Sequence, residues 1–197
     1  LFRSSAIPFR DVLEEKQGLS HARNRGILEA KGKYVFFFED DERADKHLIT
    51  QLYRTFSVYN CDAVGGRIFL HFEHEVPRWL TKDLWGFLGY LDYGKELFYM
   101  DEQRYPFGGN MAFLRSLFDA IGLFNVDMGR QGRRLFGGEE AELFHRLFRQ
   151  GGTVIYQPLA ITYHIITKAR LNKAYFRRLH YNEGLQHAYL DSREYPN

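Results

Sequence analysis

The clearest feature of the hydrophobic pattern is the segment YVFFF (residues 34–38), which is followed at once by the acidic run EDDE (residues 39–42). The segment is apolar on both faces, as is typical of a central strand in a parallel sheet that helices cover on both sides. We therefore predict a central strand that ends in a cluster of carboxylates.

A strand, a helix and a second strand are predicted within the first 40 residues. FRDVLEE (residues 9–15) has the pattern of a strand. LSHARNRGILEAKG (residues 19–32) places apolar residues at mostly helical spacing, with Ser20 as the N-cap and Gly32 as the stop. Together with YVFFF these segments form a βαβ unit, so the expected fold class is α/β, with a mostly parallel sheet flanked by helices.

The rest of the chain continues this alternation, and no repeat or change of composition divides it. We therefore expect one domain over residues 1–197. Residues 71–105, rich in aromatic residues and glycine, are expected to form an ordered excursion over the sheet, and residues 129–138 a mobile loop. The other predicted elements are a helix over 45–59, strands over 62–70, 110–113 and 152–158, a helix ending near Gly122, a helix beginning at Glu139, and an amphipathic helical tail within 165–197.

Composition and charge exclude few classes of function. Aromatic residues make up 17% of the chain, a density that suits a core as well as a platform for sugars or bases. The net charge of +2 gives no electrostatic case for nucleic acid as a partner. The single cysteine, Cys61, excludes an internal disulfide and favours a reducing compartment. No apolar run reaches the roughly 20 residues of a membrane span and the start lacks a signal-peptide pattern, so we expect a cytoplasmic protein.

Basic residues gather late in the chain, in KARLNKAYFRRLH (residues 168–180), where they are mixed with aromatic residues. Two interpretations stay open. The tail packs against the domain with its cations in water, or it makes a peripheral contact with the anionic inner face of a membrane.

The acidic run at residues 39–42 is the first candidate for chemistry. In open α/β sheets, ligands bind at the carboxyl ends of strands, which is where this run is expected to lie. Crowded carboxylates repel one another unless a cation neutralises them, and Mg²⁺ or Mn²⁺ prefers oxygen ligands together with the phosphates of a substrate. The competing interpretation is a solvated acidic turn.

The second candidate is the pair Glu139 and Glu140, which follows two glycines at the start of a predicted helix. Carboxylates in a first helical turn complement the helix dipole, and this explanation is sufficient by itself. Beside a flexible glycine loop, one of them could also serve as a general base toward a hydroxyl. The residues alone leave both interpretations open.

Three segments in this order resemble the family 2 glycosyltransferases, a group of inverting enzymes with a GT-A fold. They are GLSHARNRGILEAKGKYVFFFEDDE, PFGGNMAF and GGEEAELFHRLFRQGGTVIYQPLAITYH, and the resemblance covers residues 16–164. It implies metal-dependent transfer of a sugar from a nucleotide-sugar donor to a saccharide or lipid-linked acceptor, in glycan or polysaccharide biosynthesis.

The resemblance also assigns the two acidic motifs. Glu39, Asp40 and Asp41 match the DxD motif that holds the divalent cation, Mn²⁺ or Mg²⁺, on the donor diphosphate, although Glu39 replaces the usual first aspartate. Glu140 matches the catalytic base, with Glu139 as the neighbour that orients it.

Further site residues follow from the resemblance, each beside a structural alternative. Arg23 and Asn24 match residues that approach the nucleotide or its phosphates, and the alternative for Arg23 is a solvent-facing helix charge. His164 matches a histidine near the metal or diphosphate, although a lone histidine is more often structural. The donor-sugar and acceptor positions are Gly108, Gly109 and Asn110, otherwise a tight turn, and the stacking residues Trp79 and Trp85, otherwise core.

Family members normally begin with a strand and a Gly/Ser-rich loop that grip the nucleobase, and this sequence starts too close to ARN to contain them. We therefore expect the sheet to lack these N-terminal strands, either because an upstream part is missing or because the protein is a truncated relative. The second case keeps an alternative function open, that of a non-catalytic or partner-dependent module that binds carbohydrate or nucleotide.

Overall fold

The structure, a computed structural model, describes residues 10–132 and 135–194. Strands and helices alternate along the chain, which confirms the predicted α/β class. The strands are β1 (Tyr34–Phe37), β2 (Glu42–Ala44), β3 (Ala63–Phe72), β4 (Phe98–Tyr99), β5 (Met111–Leu114) and β6 (Val154–Ile166). The helices are α1 (Leu19–Glu29), α2 (Leu48–Val58), α3 (Leu117–Ile121), α4 (Glu139–Arg149) and α5 (Lys173–Glu194), with short 3-10 helices over Lys82–Leu88 and Lys168–Arg170.

The sheet has the strand order β1-β5-β3-β6-β2, and β4 pairs with β6 outside this path. β3 and β6 run parallel, with a bulge in β6 between Gln157 and Ile161, whereas the other described strand pairs are antiparallel. The sheet is therefore mixed, and the expectation that it is mostly parallel is corrected. Long β3 and β6 form its centre, and the short strands β1 and β2 lie at its two sides.

β1 pairs antiparallel with β5 at one end of the described strand order, so the predicted central position of YVFFF is wrong. Its apolar character on both faces has another cause. Phe36 packs into the cluster beneath α2, while Val35 and Phe37 belong to the cluster on the opposite face. Layers on both sides of the sheet, and not a central position within it, account for the pattern.

The segment before α1 is not a strand, which corrects the prediction for its described residues 10–15. Arg10 instead donates a hydrogen bond to the Glu29 carbonyl and forms an ion pair with the Glu29 carboxylate, and Leu13 is exposed. The segment therefore contacts α1 and does not pair with the sheet over its described residues. Ser20 also differs from its prediction as N-cap, because Gly18 precedes the helix and the Ser20 hydroxyl donates to the Met128 carbonyl.

Three apolar clusters hold the layers together. The largest joins α1, α3 and α4 to one face of the sheet around Phe113 and Phe144, and the second places α2 against the other face through Leu48 and Leu52. The third joins the predicted excursion to β6 and the start of α5. Residues 71–105 are thus ordered over the sheet, as predicted.

Two other predicted segments are α5 and the loop 129–138. Phe176 and Leu179 of α5 are buried, but Tyr181 and Leu185 lie on its opposite, exposed face, so the tail is helical as predicted but not amphipathic. In the loop, positions 133 and 134 lie outside the described residues, and its mobility stays a prediction. Within the residues that the structure describes, no helix is long and apolar enough to cross a membrane.

Candidate active site

A cleft of about 1130 Å³ opens where β1 ends, between the acidic turn after that strand and the start of α4. β1 and β2 form the two sides of this turn, and the loop before β5 closes the cleft from below. Nine of the residues predicted for the site line this one cleft: Arg23, Glu39, Asp40, Asp41, Gly108, Gly109, Glu139, Glu140 and His164. The two acidic motifs, separated by almost 100 positions in the chain, therefore share one site.

Arg23 connects the two motifs. Its side chain is 6% exposed, and its Nη1 and Nη2 donate to Glu139 Oε1 at 2.7 Å and to Glu39 Oε1 at 3.0 Å. The guanidinium also lies against the rings of Phe37 and Phe124, with Cζ 5.9 Å and 5.4 Å from the ring centroids. These contacts make Arg23 a link between acids, while its role as a phosphate ligand stays a prediction.

The glycine at position 108 leaves room for this link. A Cβ there would collide with Nη2 of Arg23, so any side chain at this position would push the guanidinium off its carboxylates. Gly109 does the same for Glu42, whose carboxylate fills the place that a Cβ would occupy. The two glycines thus lie in the cleft, as predicted, and each allows a charged side chain to approach the backbone closely.

Glu139 and Glu140 occupy the first two positions of α4, where both carboxylates benefit from the helix dipole. Glu139 is buried, and burial, followed by the charge of Glu140, raises its pKa in spite of Arg23. Glu140 is only partly buried and lines the cleft. The geometry therefore leaves Glu140 accessible to a ligand and pairs Glu139 with Arg23, while their roles as base and orienting neighbour stay predictions.

Asp41 and His164 are neighbours because β2 pairs with β6. Glu42 lies opposite His164 in the strand register, and the Ile165 amide donates to the Asp41 carbonyl at 2.8 Å. His164 Nδ1 donates to the Leu88 carbonyl at 2.6 Å, which leaves Nε2 as the acceptor nitrogen, 3.3 Å from Asp41 Oδ2. One carboxylate oxygen and one imidazole lone pair thus converge on the same point.

These two residues fit a divalent cation only as part of a larger ligand set. Among residues 10–132 and 135–194, no cluster of three or more His, Cys, Asp or Glu side chains could hold a metal by itself. Asp41 Oδ1 is buried without a hydrogen-bond partner among the described residues, so it is available to coordinate a cation. Mg²⁺ and Mn²⁺ commonly bind through one or two protein ligands plus substrate phosphates, so Asp41 and His164 suit a cation that arrives with a diphosphate.

Asn24 and Asn110, two of the predicted site residues, form hydrogen bonds that stabilise the fold. The Asn24 amide donates to the Phe124 carbonyl and accepts from the Phe124 amide, both at 2.9 Å. The Asn110 amide donates to the carbonyls of Arg67 and Ala160. Because both asparagines are buried and neither lines the cleft, their predicted contacts with donor or acceptor are corrected to structural roles.

The two tryptophans also lie elsewhere. Trp79 packs edge-on against Phe176 of α5, with ring centroids 5.1 Å apart, and Trp85 packs against Phe72 and Tyr90. Both belong to the third apolar cluster, and neither lines the cleft. Both are partly buried, and packing against this cluster replaces the predicted stacking on sugar rings in the cleft.

Two further cleft residues have no individual role in the sequence-based assignment, although the first belongs to the acidic run that is a candidate for cation binding. Glu42, the last acid of EDDE, is buried, and its Oε2 has no hydrogen-bond partner in the described part of the chain. Burial, then the charges of Glu39 and Asp41, raise the pKa of Glu42 to about 9. Arg170, which lies in the basic tail of the sequence, contacts both Asp41 and His164. No signal in the sequence marks Arg170, whereas the position of Glu42 within the acidic run does mark that residue.

Comparison with known proteins relates the chain to sugar transferases. A family model described as glycosyl transferase family 2 matches residues 8–122, a stretch that ends before Glu139. The chain is 28% identical over 160 residues to the glucosyl-dolichyl phosphate glucuronosyltransferase of Haloferax volcanii, covering 80% of this chain and 50% of that protein. It is 24% identical over 173 residues to the succinoglycan biosynthesis protein ExoM of Rhizobium meliloti, covering 87% and 52%. It thus spans about half the length of these relatives.

Among solved structures, the chain resembles GalNAc-T7, crystallised with UDP, GalNAc and Mn²⁺. The TM-score is 0.53 at 19% sequence identity, and the match covers 78% of this chain and 31% of that one. At this identity the likeness concerns the fold alone, and it confirms the expected GT-A-type architecture.

The buried carboxyl of Glu42 makes stability depend on pH. Its folded pKa of about 9 lies above its ordinary 4.5, so between these values the folded protein keeps a proton that the unfolded chain has lost. Stability that Glu42 contributes is therefore full below about 4.5 and is lost as the pH rises toward about 9. In thermal unfolding with EDTA present, we expect Glu42→Gln to melt above the parent at pH 8 and to approach it at pH 5.

The exposed Glu15→Gln is the matched control and should follow the parent at each pH. Parallel pH profiles for the parent and Glu42→Gln would show that Glu42 titrates normally in the folded protein.

Proposed function

Because the chain belongs to glycosyl transferase family 2, we propose that it transfers a sugar from a nucleotide-sugar donor to an acceptor hydroxyl with inversion at the anomeric carbon. One observation carries the proposal: a candidate base, Glu140, and a candidate cation ligand, Asp41, line the same cleft. If the acidic run were only a solvated turn, it would not be expected to share a cleft with a second acidic motif from a distant part of the chain.

In the proposed reaction, the Glu140 carboxylate takes the proton of the acceptor hydroxyl. The hydroxyl oxygen forms a bond to the anomeric carbon as the bond from that carbon to the diphosphate oxygen breaks. The leaving nucleoside diphosphate departs with the electron pair. Glu139, fixed by Arg23, positions the first turn of α4 and with it Glu140.

The departing diphosphate needs positive charge near Asp41. A bound Mn²⁺ or Mg²⁺ would supply it as a Lewis acid. Asp41 and His164 would hold the cation, and Glu39 and Asp40 would add negative charge around it. The Mn²⁺ and UDP with which GalNAc-T7 was crystallised support this choice of cofactor and donor class.

The names of the relatives support a place in the synthesis of glycans or polysaccharides, with a saccharide or a lipid-linked acceptor. A cytoplasmic location at the inner face of a membrane would suit a lipid-linked acceptor. The exposed face of α5 offers a contact for such a surface, since it presents Arg178, Tyr181 and Leu185 to solvent.

The site assignment predicts distinct defects for its two carboxylates. With UDP-, GDP- and dTDP-sugars and Mn²⁺, we expect Glu140→Gln to lower kcat by about 10²- to 10⁴-fold, because a general base is lost. Asp41→Asn should weaken the dependence of the rate on Mn²⁺, and EDTA should abolish activity that added Mn²⁺ restores.

Glu142→Gln is the matched control, since Glu142 pairs with Arg146 on the same helix outside the cleft. Its kcat should stay close to that of the parent. If Glu140→Gln and Asp41→Asn were as active as Glu142→Gln, the assignment of the site would be wrong.

The membrane contact predicts that co-sedimentation with vesicles depends on α5. The parent should sediment with vesicles rich in phosphatidylserine more than with phosphatidylcholine vesicles, and the Tyr181→Ser/Leu185→Ser variant should lose most of this difference. Equal sedimentation of the two proteins on both kinds of vesicle would remove the membrane from the proposal.

A further inference from the structure

Arg170 fills the space between Asp41 and His164. Its Nη2 donates to Asp41 Oδ2 at 2.6 Å, and its Nη1 donates to His164 Nε2 at 2.6 Å. The guanidinium therefore spans the same two acceptor atoms that suit a divalent cation. A side chain that carries one positive charge occupies the position where the cleft collects negative charge.

The orientation of His164 makes this contact specific. Because Nδ1 donates to the Leu88 carbonyl, the lone pair of the neutral imidazole lies on Nε2 and faces Arg170. This lone pair can accept an N–H from the guanidinium or bind a metal ion, but it cannot do both at once. The competition is strict at Nε2, whereas Asp41 keeps a free Oδ1 and a second lone pair on Oδ2 that a cation could use.

The fold holds the backbone of Arg170 near the cleft but leaves its side chain free to move. After His164 the chain leaves β6 and turns through the 3-10 helix Lys168–Arg170, which returns Arg170 toward the cleft. The backbone position is thus fixed close to the site. The side chain is 22% exposed and lines the cleft, so the guanidinium can swing away without opening the core.

Resting on the proposed function, we infer that Arg170 and a divalent cation are alternative occupants of Asp41 and His164. Cation binding then requires the guanidinium to leave His164 Nε2, and repulsion between the two positive charges drives it from Asp41 as well. In the structure the guanidinium contacts both acceptors and partly neutralises the crowded carboxylates. The affinity for the cation is accordingly lower than the two ligands alone would give, in proportion to the fraction of molecules in which Arg170 is displaced.

The competition can be measured with Mn²⁺ alone. Electron paramagnetic resonance counts free Mn²⁺ as the protein is titrated, in the absence and presence of UDP. We expect Arg170→Met, which keeps the length of the side chain and removes its donors, to bind Mn²⁺ about tenfold more tightly or better. This size corresponds to at least one charge-assisted hydrogen bond that no longer has to break.

Three variants make the result specific. Arg177→Met removes an exposed cation from the neighbouring α5 and should bind Mn²⁺ like the parent. Arg170→Lys keeps the charge but loses the planar fork, so its affinity should lie between those of the parent and Arg170→Met. Asp41→Asn should abolish binding in either background, which shows that the cation is bound at this site.

A second measurement observes the displacement in the unmodified protein. In ¹⁵N NMR of the arginine guanidinium groups, the Arg170 signals, assigned with Arg170→Met, should move to the positions of freely rotating groups when Mg²⁺ and UDP are added. A general electrostatic effect of Arg170 on the site would leave these signals in place.

Each outcome decides the inference. Tighter Mn²⁺ binding by Arg170→Met together with release of the Arg170 signals supports it. Mn²⁺ binding that depends on Asp41 but is equal or weaker in Arg170→Met overturns it and leaves the proposed function intact, as do Arg170 signals that stay unchanged while the cation binds. If no protein binds Mn²⁺ with or without UDP, the cation site of the proposed function fails, and the inference fails with it.

Discussion

The arrangement of the site depends on a buried cation, the Arg23 guanidinium. Removing an arginine from water is costly, and the cost is offset only where carboxylates and hydrogen bonds replace the lost solvent. Glu139 and Glu39 do so from two different elements, and the rings of Phe37 and Phe124 cover the remaining faces of the guanidinium. The start of α4 and the end of β1 are consequently fixed relative to α1.

The surroundings of this link explain why the cleft can hold so many charges. Two glycines before β5 let Arg23 and Glu42 approach the backbone, and burial keeps Glu42 protonated at neutral pH, so that it adds no charge to the acidic turn. Arg170 neutralises Asp41 from the opposite side. Each of these acids thus has its own means of avoiding repulsion, and the accessible Glu140 is left to meet a ligand.

The sequence allows prediction of those features that local pattern controls. Carboxylates after an apolar strand and at the start of a helix after two glycines both lie in the cleft, as predicted. The alternative that places Arg23 on the solvent-facing side of α1 is wrong, because Ser20, Arg23, Asn24 and Ile27 form one buried stripe with helical spacing. The stripe is mostly polar, so it gives no hydrophobic signal. Its burial depends on the partners Glu139, Phe124 and Met128, which lie some 100 positions away in the chain and are not visible in the local pattern.

Contacts between residues far apart in the sequence also explain the other differences between prediction and structure. The pairing of β1 with β5 instead of with a strand before α1 is a long-range choice that an apolar run does not encode. Trp79 and Trp85 are partly buried because they pack against Phe176 and Phe72 of other elements, and the aromatic composition that suggests sugar binding does not encode these contacts. Arg170 reaches Asp41 across 129 positions, which only the β2–β6 pairing brings together.

The claim that Arg23 couples the two acidic motifs is tested most directly by a double-mutant cycle on the free energy of unfolding. Arg23→Met should cost about 3–5 kcal/mol, since it leaves the buried Glu139 carboxylate and the partly buried Glu39 carboxylate without their partner. Adding Glu139→Gln should then cost less than it does in the parent, with a coupling of about 1–3 kcal/mol in urea unfolding. The partly exposed i,i+4 pair Arg25 and Glu29 provides the control cycle, with an expected coupling below about 0.5 kcal/mol. Additive effects of Arg23→Met and Glu139→Gln, equal to those of the control, would contradict the account.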